Sequence, residues 1–173
     1  VADRMTGSGD PDVKKATPAL VKALDRAVDL CSDTLNFTRE GPPRPELSRF
    51  APTPRAAARA ALGLDPVGRY LLFPADPARP EKRHDRAAAL AAAADARLLT
   101  GGSIEPEAMC TWMNAADAVL VTSDYEGFGM AAIEALACDV PVLSTPVGVA
   151  PYLLAGIDGC LCAPFDPERW AAD

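Results

Sequence analysis

One histidine, His84, and no cysteine pair at metal-ligand spacing leave almost no material for a zinc site. The five cysteines (31, 110, 138, 160, 162) are odd in number and scattered through apolar contexts, which reads as reduced core residues and not as a disulfide framework. Cationic excess is missing too: 17 basic residues face 24 acidic ones, and a formal net charge of −7 gives no field to attract nucleic acid. No apolar run approaches the roughly 18 residues that span a bilayer, and no basic-then-apolar leader opens the chain. A cytoplasmic protein with no membrane span is the expectation, and the sequon at Asn36-Phe37-Thr38 then carries no weight. What remains is 49% hydrophobic and 24% charged over 173 residues, about one domain with an ordinary core.

Familiar catalytic signatures are absent as well. The first clear strand runs into PADPARPEKR (74–83) and not into GxGxxG, so the usual dinucleotide loop is excluded. There is no GxxxxGK[ST], no GxSxG elbow, and no acidic pair after the first strand of the kind a phosphoacceptor receiver needs.

What is present is a regular alternation. Residues 1–16 are polar; Thr17 and Pro18 then suit the cap and first turn of an amphipathic helix over about 17–31. The GPPRP run (41–45) reads as a stiff connector, and PRAAARAALGL (54–64) as a short helix ending near Gly63. Strands are expected at 69–74, 96–100, 118–122, 141–145 and 159–164, with helices at 81–94, 106–116, 129–137, 150–156 and from 167. Short, wholly apolar strands alternating with helices predict an α/β, Rossmann-like parallel sheet covered on both faces. Ligands of such sheets sit at the carboxyl ends of the strands.

Three loops fall on that edge. DPARPEKRHDR (76–86) is a basic island in which Arg79, Lys82, Arg83 and Arg86 open a helix. Cations there are mildly unfavourable, by roughly 0.3–1 kcal/mol each, unless an anion answers them. TGGSIEPE (100–107) is read on its own as an ordinary turn. EGFGMAAIE (126–134) places Gly127, Phe128 and Gly129 on the turn into a helix, whose amides make an anion site. Met130, Ile133, Glu134 and Ala137 share one side of that helix, and Glu126 stands at the mouth of the loop. A carboxylate among such neighbours loses hydration unless donors reach it. The plainer alternative is that both glutamates are the wet residues of an apolar segment.

EGFGMAAIE, two glutamates with seven residues between them and the glycine loop intact, resembles the glutamate motif of retaining glycosyltransferases of family 4, which have the GT-B fold. The resemblance extends over about residues 49–173: WMNAADAVLVTSDY before the motif, PVLSTPVG after it, and GCLCAPFDPERW at the close. Teichuronic-acid-type transferases of bacteria are the nearest kind. The resemblance implies that residues 49–173 are the carboxy-terminal, donor-binding half-domain, and that residues 1–48 are an extension bearing the helix and linker. It implies that Glu134 holds the ribose of a nucleotide-diphospho-sugar and that Glu126 meets the sugar. Gly127, Phe128, Gly129 and Met130 would line the donor, and Ser103 and Ile104 the base. Lys82, with Arg79, would neutralise the departing diphosphate. No metal or cofactor is implied; the nucleotide sugar is a substrate. The sequence departs from the family's pattern at Pro77, where an arginine is usual, at Asp139, where a glycine is usual, and at Val149 and Tyr152, in place of Gly and Glu. The family's acceptor-binding amino-terminal domain has no counterpart in this sequence, so activity of this chain alone is not expected; a separate amino-terminal domain or self-association is the expected partner. The alternative is a non-catalytic interaction module that keeps the half-domain fold.

Overall fold

A computed structural model of the protein describes residues 50–172. The expected helix at 17–31, the GPPRP connector and Cys31 lie outside the described residues.

Helix α1 (Arg55–Ala61) leads into a turn at Gly63, whose φ of 63° needs glycine. Then follow β1 (Tyr70–Phe73), α2 (His84–Ala93), β2 (Arg97–Thr100), α3 (Met109–Ala115) and β3 (Ala118–Val121). The chain continues through α4 (Met130–Ala137), β4 (Val142–Ser144), α5 (Ala150–Leu153), β5 (Leu161–Cys162) and α6 (Pro167–Ala172). The strands form one parallel sheet in the order β2-β1-β3-β4-β5.

The pleat sorts the apolar residues to two faces. Tyr70, Leu72, Val119 and Val121 point to one side, where they pack with Met113, Ala132, Ala135, Cys138 and Leu154 from α3, α4 and the end of α5. Leu71, Phe73, Ala118 and Leu120 point to the other, against Ala87, Leu90 and Ala91 of α2 and Trp170 of α6. Every residue of β1 and β3 is buried, which is why these strands read as unbroken apolar runs rather than as alternating ones.

At the amino ends of the two central strands a charged clip joins the layers. Arg59, 5% exposed, places its guanidinium 2.9 Å from both oxygens of Asp117 and stacks 5.0 Å over the Tyr70 ring. Asp117 also accepts the Tyr70 amide at 2.7 Å, so the carboxylate ties α1 to the starts of β1 and β3 together.

One element departs from the sequence reading. The helix expected over 81–94 is broken: a single 3-10 turn, Pro80–Lys82, is separated from α2 by Arg83 in the left-handed region, φ 55°. The guanidinium of Arg83, which bonds both Asp85 and Asp124, holds that unfavourable conformation in place.

Candidate functional site

The strand order reverses direction between β1 and β3, and at this switch point the loops after the two strands diverge and leave a crevice. The loop after β1 begins as a tight turn, in which Asp76 accepts the Ala78 amide at 2.9 Å, and ends in the 3-10 turn carrying Lys82. The loop after β3 braces it from beneath. Thr122, fully buried, donates its hydroxyl to the carbonyls of Lys82 and Arg83 at 3.1 and 3.0 Å, and Asp124 N–H donates to Glu81 O at 2.9 Å.

Across the crevice, Lys82 Nζ lies 2.7 Å from both carboxylate oxygens of Glu126. The two side chains are 13% and 15% exposed. Ser123 Oγ donates to Glu126 Oε1 at 2.8 Å, and the Ser123 carbonyl in turn accepts from Thr145 Oγ1 at 2.6 Å. These braces fix where the carboxylate points. Sequence reasoning missed Ser123 and Thr145, whose hydroxyls carry no spacing signal until the strand ends are brought together.

The glycine turn follows. Gly129 caps α4 with φ 99°, a conformation suited to glycine. The Phe128 carbonyl accepts the Val149 amide at 2.8 Å, and a Cβ on Gly148 would stand 2.4 Å from that carbonyl oxygen. Gly148 is therefore what lets the loop after β4 press against the EGFG turn. A Cβ on Gly127 would meet nothing within 4 Å, so its lack of a side chain answers no contact inside the protein.

A cleft of about 370 Å³ opens here, floored by Phe73, Leu120 and Val121 and walled by Arg79, Lys82, Glu126, Phe128, Gly129, Met130 and Glu134. Seven of the residues singled out in the sequence thus share one cavity. Gly127 is exposed on the turn and does not line it; Ser103 and Ile104 do not line it either. Ile104 packs against the core instead, and Met109 of α3 closes that wall of the cleft. The two glycines before them serve packing: a Cβ on Gly101 would fall 2.1 Å from Pro74 O, and one on Gly102 would fall 2.8 Å from Pro77 Cδ.

The basic island is answered from within the chain. Arg79 pairs with Glu81, Lys82 with Glu126, Arg83 with Asp85 and Asp124, and Arg86 with Asp124. The expected conflict of cations at a helix start is resolved by these carboxylates. The hydrogen bonds of Arg83 hold the Asp85 carboxyl down at about 2 and lower that of Asp124. Glu81 is lowered first by a backbone amide and then by Arg79, and Arg83 is itself raised by Asp85 and Asp124. A wider groove of about 700 Å³ on the outer side of this turn is lined by these mutually paired charges and by none of the EGFG residues. Among the described residues, no group of three His, Cys, Asp or Glu is placed to hold a metal, and no helix is long and apolar enough to cross a membrane.

Residues 69–173 match the family described as "Glycosyl transferases group 1". A relative named D-inositol 3-phosphate glycosyltransferase, from Mycolicibacterium gilvum, is 34% identical over 163 residues, covering 75% of this chain and 36% of its own length. One of the same name from Thermobispora bispora is 32% identical over 170 residues, covering 75% of this chain and 40% of its own. This chain therefore spans well under half the length of these relatives. Their name corrects the expectation of a teichuronic-acid-type transferase. Among solved structures, sucrose-phosphate synthase from Thermosynechococcus elongatus superposes with a TM-score of 0.55 at 26% identity, over 73% of this chain and 39% of that one. The C-terminal domain of a glycosyl transferase group 1 family protein from Francisella tularensis gives 0.59 at 17% identity, over 73% and 83%, a likeness of fold. With the Rossmann-like half-domain of the GT-B fold and this match over most of its length, the chain belongs to the glycosyl transferases group 1 family.

Proposed function

We propose that residues 49–173 are the donor domain of a retaining glycosyltransferase, binding a nucleotide-diphospho-sugar in the cleft between the β1 and β3 loops. The observation that carries this reading is the convergence of Lys82, Glu126, the Gly129 cap and Glu134 on one cavity at the switch point of the sheet. The diphosphate lies at the amino end of α4, where backbone amides and the helix dipole favour negative charge. Glu134, one turn further along, accepts the ribose hydroxyls, and Glu126 accepts from the sugar. Breaking the glycosyl–phosphate bond develops charge on the leaving oxygen, and Lys82 with Arg79 stabilises it through preorganised donors. Transfer with retention follows by front-side attack, the leaving phosphate taking the acceptor's proton.

The acceptor is held by an amino-terminal domain outside this chain, since two reactants must be fixed in register for transfer. The name of the relatives makes D-inositol 3-phosphate the acceptor to try first. Calorimetric titration with UDP, GDP and ADP tests the donor half. One nucleotide should bind, and Glu134→Ala should weaken it by about 1–3 kcal/mol. Equal binding by the variant would remove Glu134 from the site, and no binding of any nucleotide would overturn the donor reading.

A further inference from the structure

The sequence reads the cysteines as reduced core residues, and the donor reading makes no use of them. The structure brings two of them together. Cys110, in the first turn of α3, and Cys138, which caps the end of α4, have their sulfur atoms 3.6 Å apart. Among the described residues this is the one thiol–thiol contact: Cys160 Sγ accepts the Val142 amide at 3.3 Å, and Cys162 Sγ faces Thr145 O at 3.9 Å. We propose that Cys110 and Cys138 are a site of reversible oxidation by a peroxide, forming a disulfide that clasps α3 to the end of α4.

The two thiols differ in a way that assigns their roles. Cys110 is half-buried, and its sulfur lies among polar groups, 3.6 Å from Ala51 O and 3.4 Å from Asn114 Nδ2. A small oxidant reaches it. Cys138 is 2% exposed, and burial pushes its thiol up to about 12, which keeps it protonated and slow toward outside reagents. Cys110 is therefore the sulfur that is oxidised first, and Cys138 the one that resolves.

The chemistry balances with hydrogen peroxide as the oxidant. The Cys110 sulfur attacks one peroxide oxygen; an S–O bond forms, the O–O bond breaks, and one water leaves. The Cys138 sulfur then attacks the sulfenic sulfur; the S–S bond forms, the S–O bond breaks, and the hydroxyl leaves with the Cys138 proton as a second water. Two thiols and one peroxide become one disulfide and two waters. Closing the sulfurs from 3.6 Å to a bond of about 2 Å draws the two helices together. Both helices wall the cleft: Met109 precedes Cys110, and the Cys138 amide donates to the carbonyl of Glu134 at 3.2 Å. The oxidised form holds that wall covalently.

The test is to treat the chain with hydrogen peroxide, block remaining thiols, and map cysteine peptides by mass. The expected product is a single peptide pair linking Cys110 to Cys138, two hydrogens lighter and released by dithiothreitol. The oxidised protein should melt at a higher temperature than the reduced one, because the link closes a loop of 28 residues. Cys110→Ser should remove the linked pair, and so should Cys138→Ala, which leaves the buried site apolar should Cys138→Ser not fold. Recovery of both cysteines as blocked thiols after peroxide overturns the proposal. So does a link through any other cysteine, or conversion of Cys110 to sulfinic acid with Cys138 still free.

Discussion

Replacing Glu126 by glutamine should tighten the binding of a nucleoside diphosphate, although Glu126 lines the site. Lys82 already has a partner, with both Glu126 oxygens 2.7 Å from its ammonium and both side chains largely out of water. At an effective dielectric near 20, a pair about 4 Å apart attracts by about 4 kcal/mol. Desolvation of the two groups offsets much of that, leaving a net of about 1–2 kcal/mol. An incoming diphosphate must displace the carboxylate or share the cation with it, beside a like charge that repels it. Glutamine removes both costs and keeps the shape. The expected gain is about 1.4 kcal/mol, a tenfold lower Kd. The assay is calorimetry with the nucleotide that the wild type binds. A diphosphate without its sugar is the right probe, because any bond from Glu126 to the sugar is then absent from the readout. Lys82→Met should weaken the same nucleotide by at least as much. An unchanged or weaker Kd for Glu126→Gln, with Lys82→Met weakened, would show that the two groups do not compete for one anion and would sink the argument.

Further outcomes follow from the same geometry. Arg59→Ala removes a buried guanidinium from Asp117, which keeps Arg55 at 2.8 Å, and leaves the Ala115 and Pro66 carbonyls without their donor; it should cost about 1–3 kcal/mol in urea unfolding, with nucleotide affinity unchanged. Gly101→Ala drives a methyl onto the Pro74 carbonyl and should cost at least about 1–3 kcal/mol. Gly127→Ala, exposed on the turn with open space around it and outside the cleft lining, should leave stability within about 0.5 kcal/mol and nucleotide affinity unchanged; weaker binding in calorimetry would show that the ligand reaches out of the cleft onto that backbone. Asp85 titrates at about 2 in the folded protein against 3.8 ordinarily, so its stabilising contribution is present above about pH 4 and is lost as pH falls through 2. Carbon-detected NMR of the Asp85 carboxyl should show that midpoint, and Arg83→Gln should return it toward 3.8.

Much of the fold was legible because its two central strands are buried on both faces. YLLF and AVLV stand out as apolar blocks between helices, and the parallel sheet follows from the alternation. The EGFG turn was legible for a different reason, since paired glycines before an apolar helix have few other uses. What could not be read was partnership across distance. Nothing near Lys82 in sequence announces that Glu126, 44 residues on, neutralises it. Nothing near Arg83 announces that Asp85 and Asp124 will hold it in a left-handed conformation and split a helix that propensity alone makes continuous. Ser103 and Ile104 were placed at the cleft by resemblance, whereas the loop that carries them turns back onto the β1 loop through Gly101 and Gly102.

The charged clip at the foot of the sheet gives the central strands the mechanics of tweezers. Arg59 and Asp117 grip β1 and β3 at their amino ends, and the Lys82–Glu126 pair bridges the loops at the other end. A nucleotide bound as proposed would part the bridge without touching the grip, so the tips would yield while the pivot stays shut. The amides after β1 and β3 are then the ones whose hydrogen exchange responds to occupancy, and the Tyr70 amide, bonded to Asp117, keeps its protection throughout.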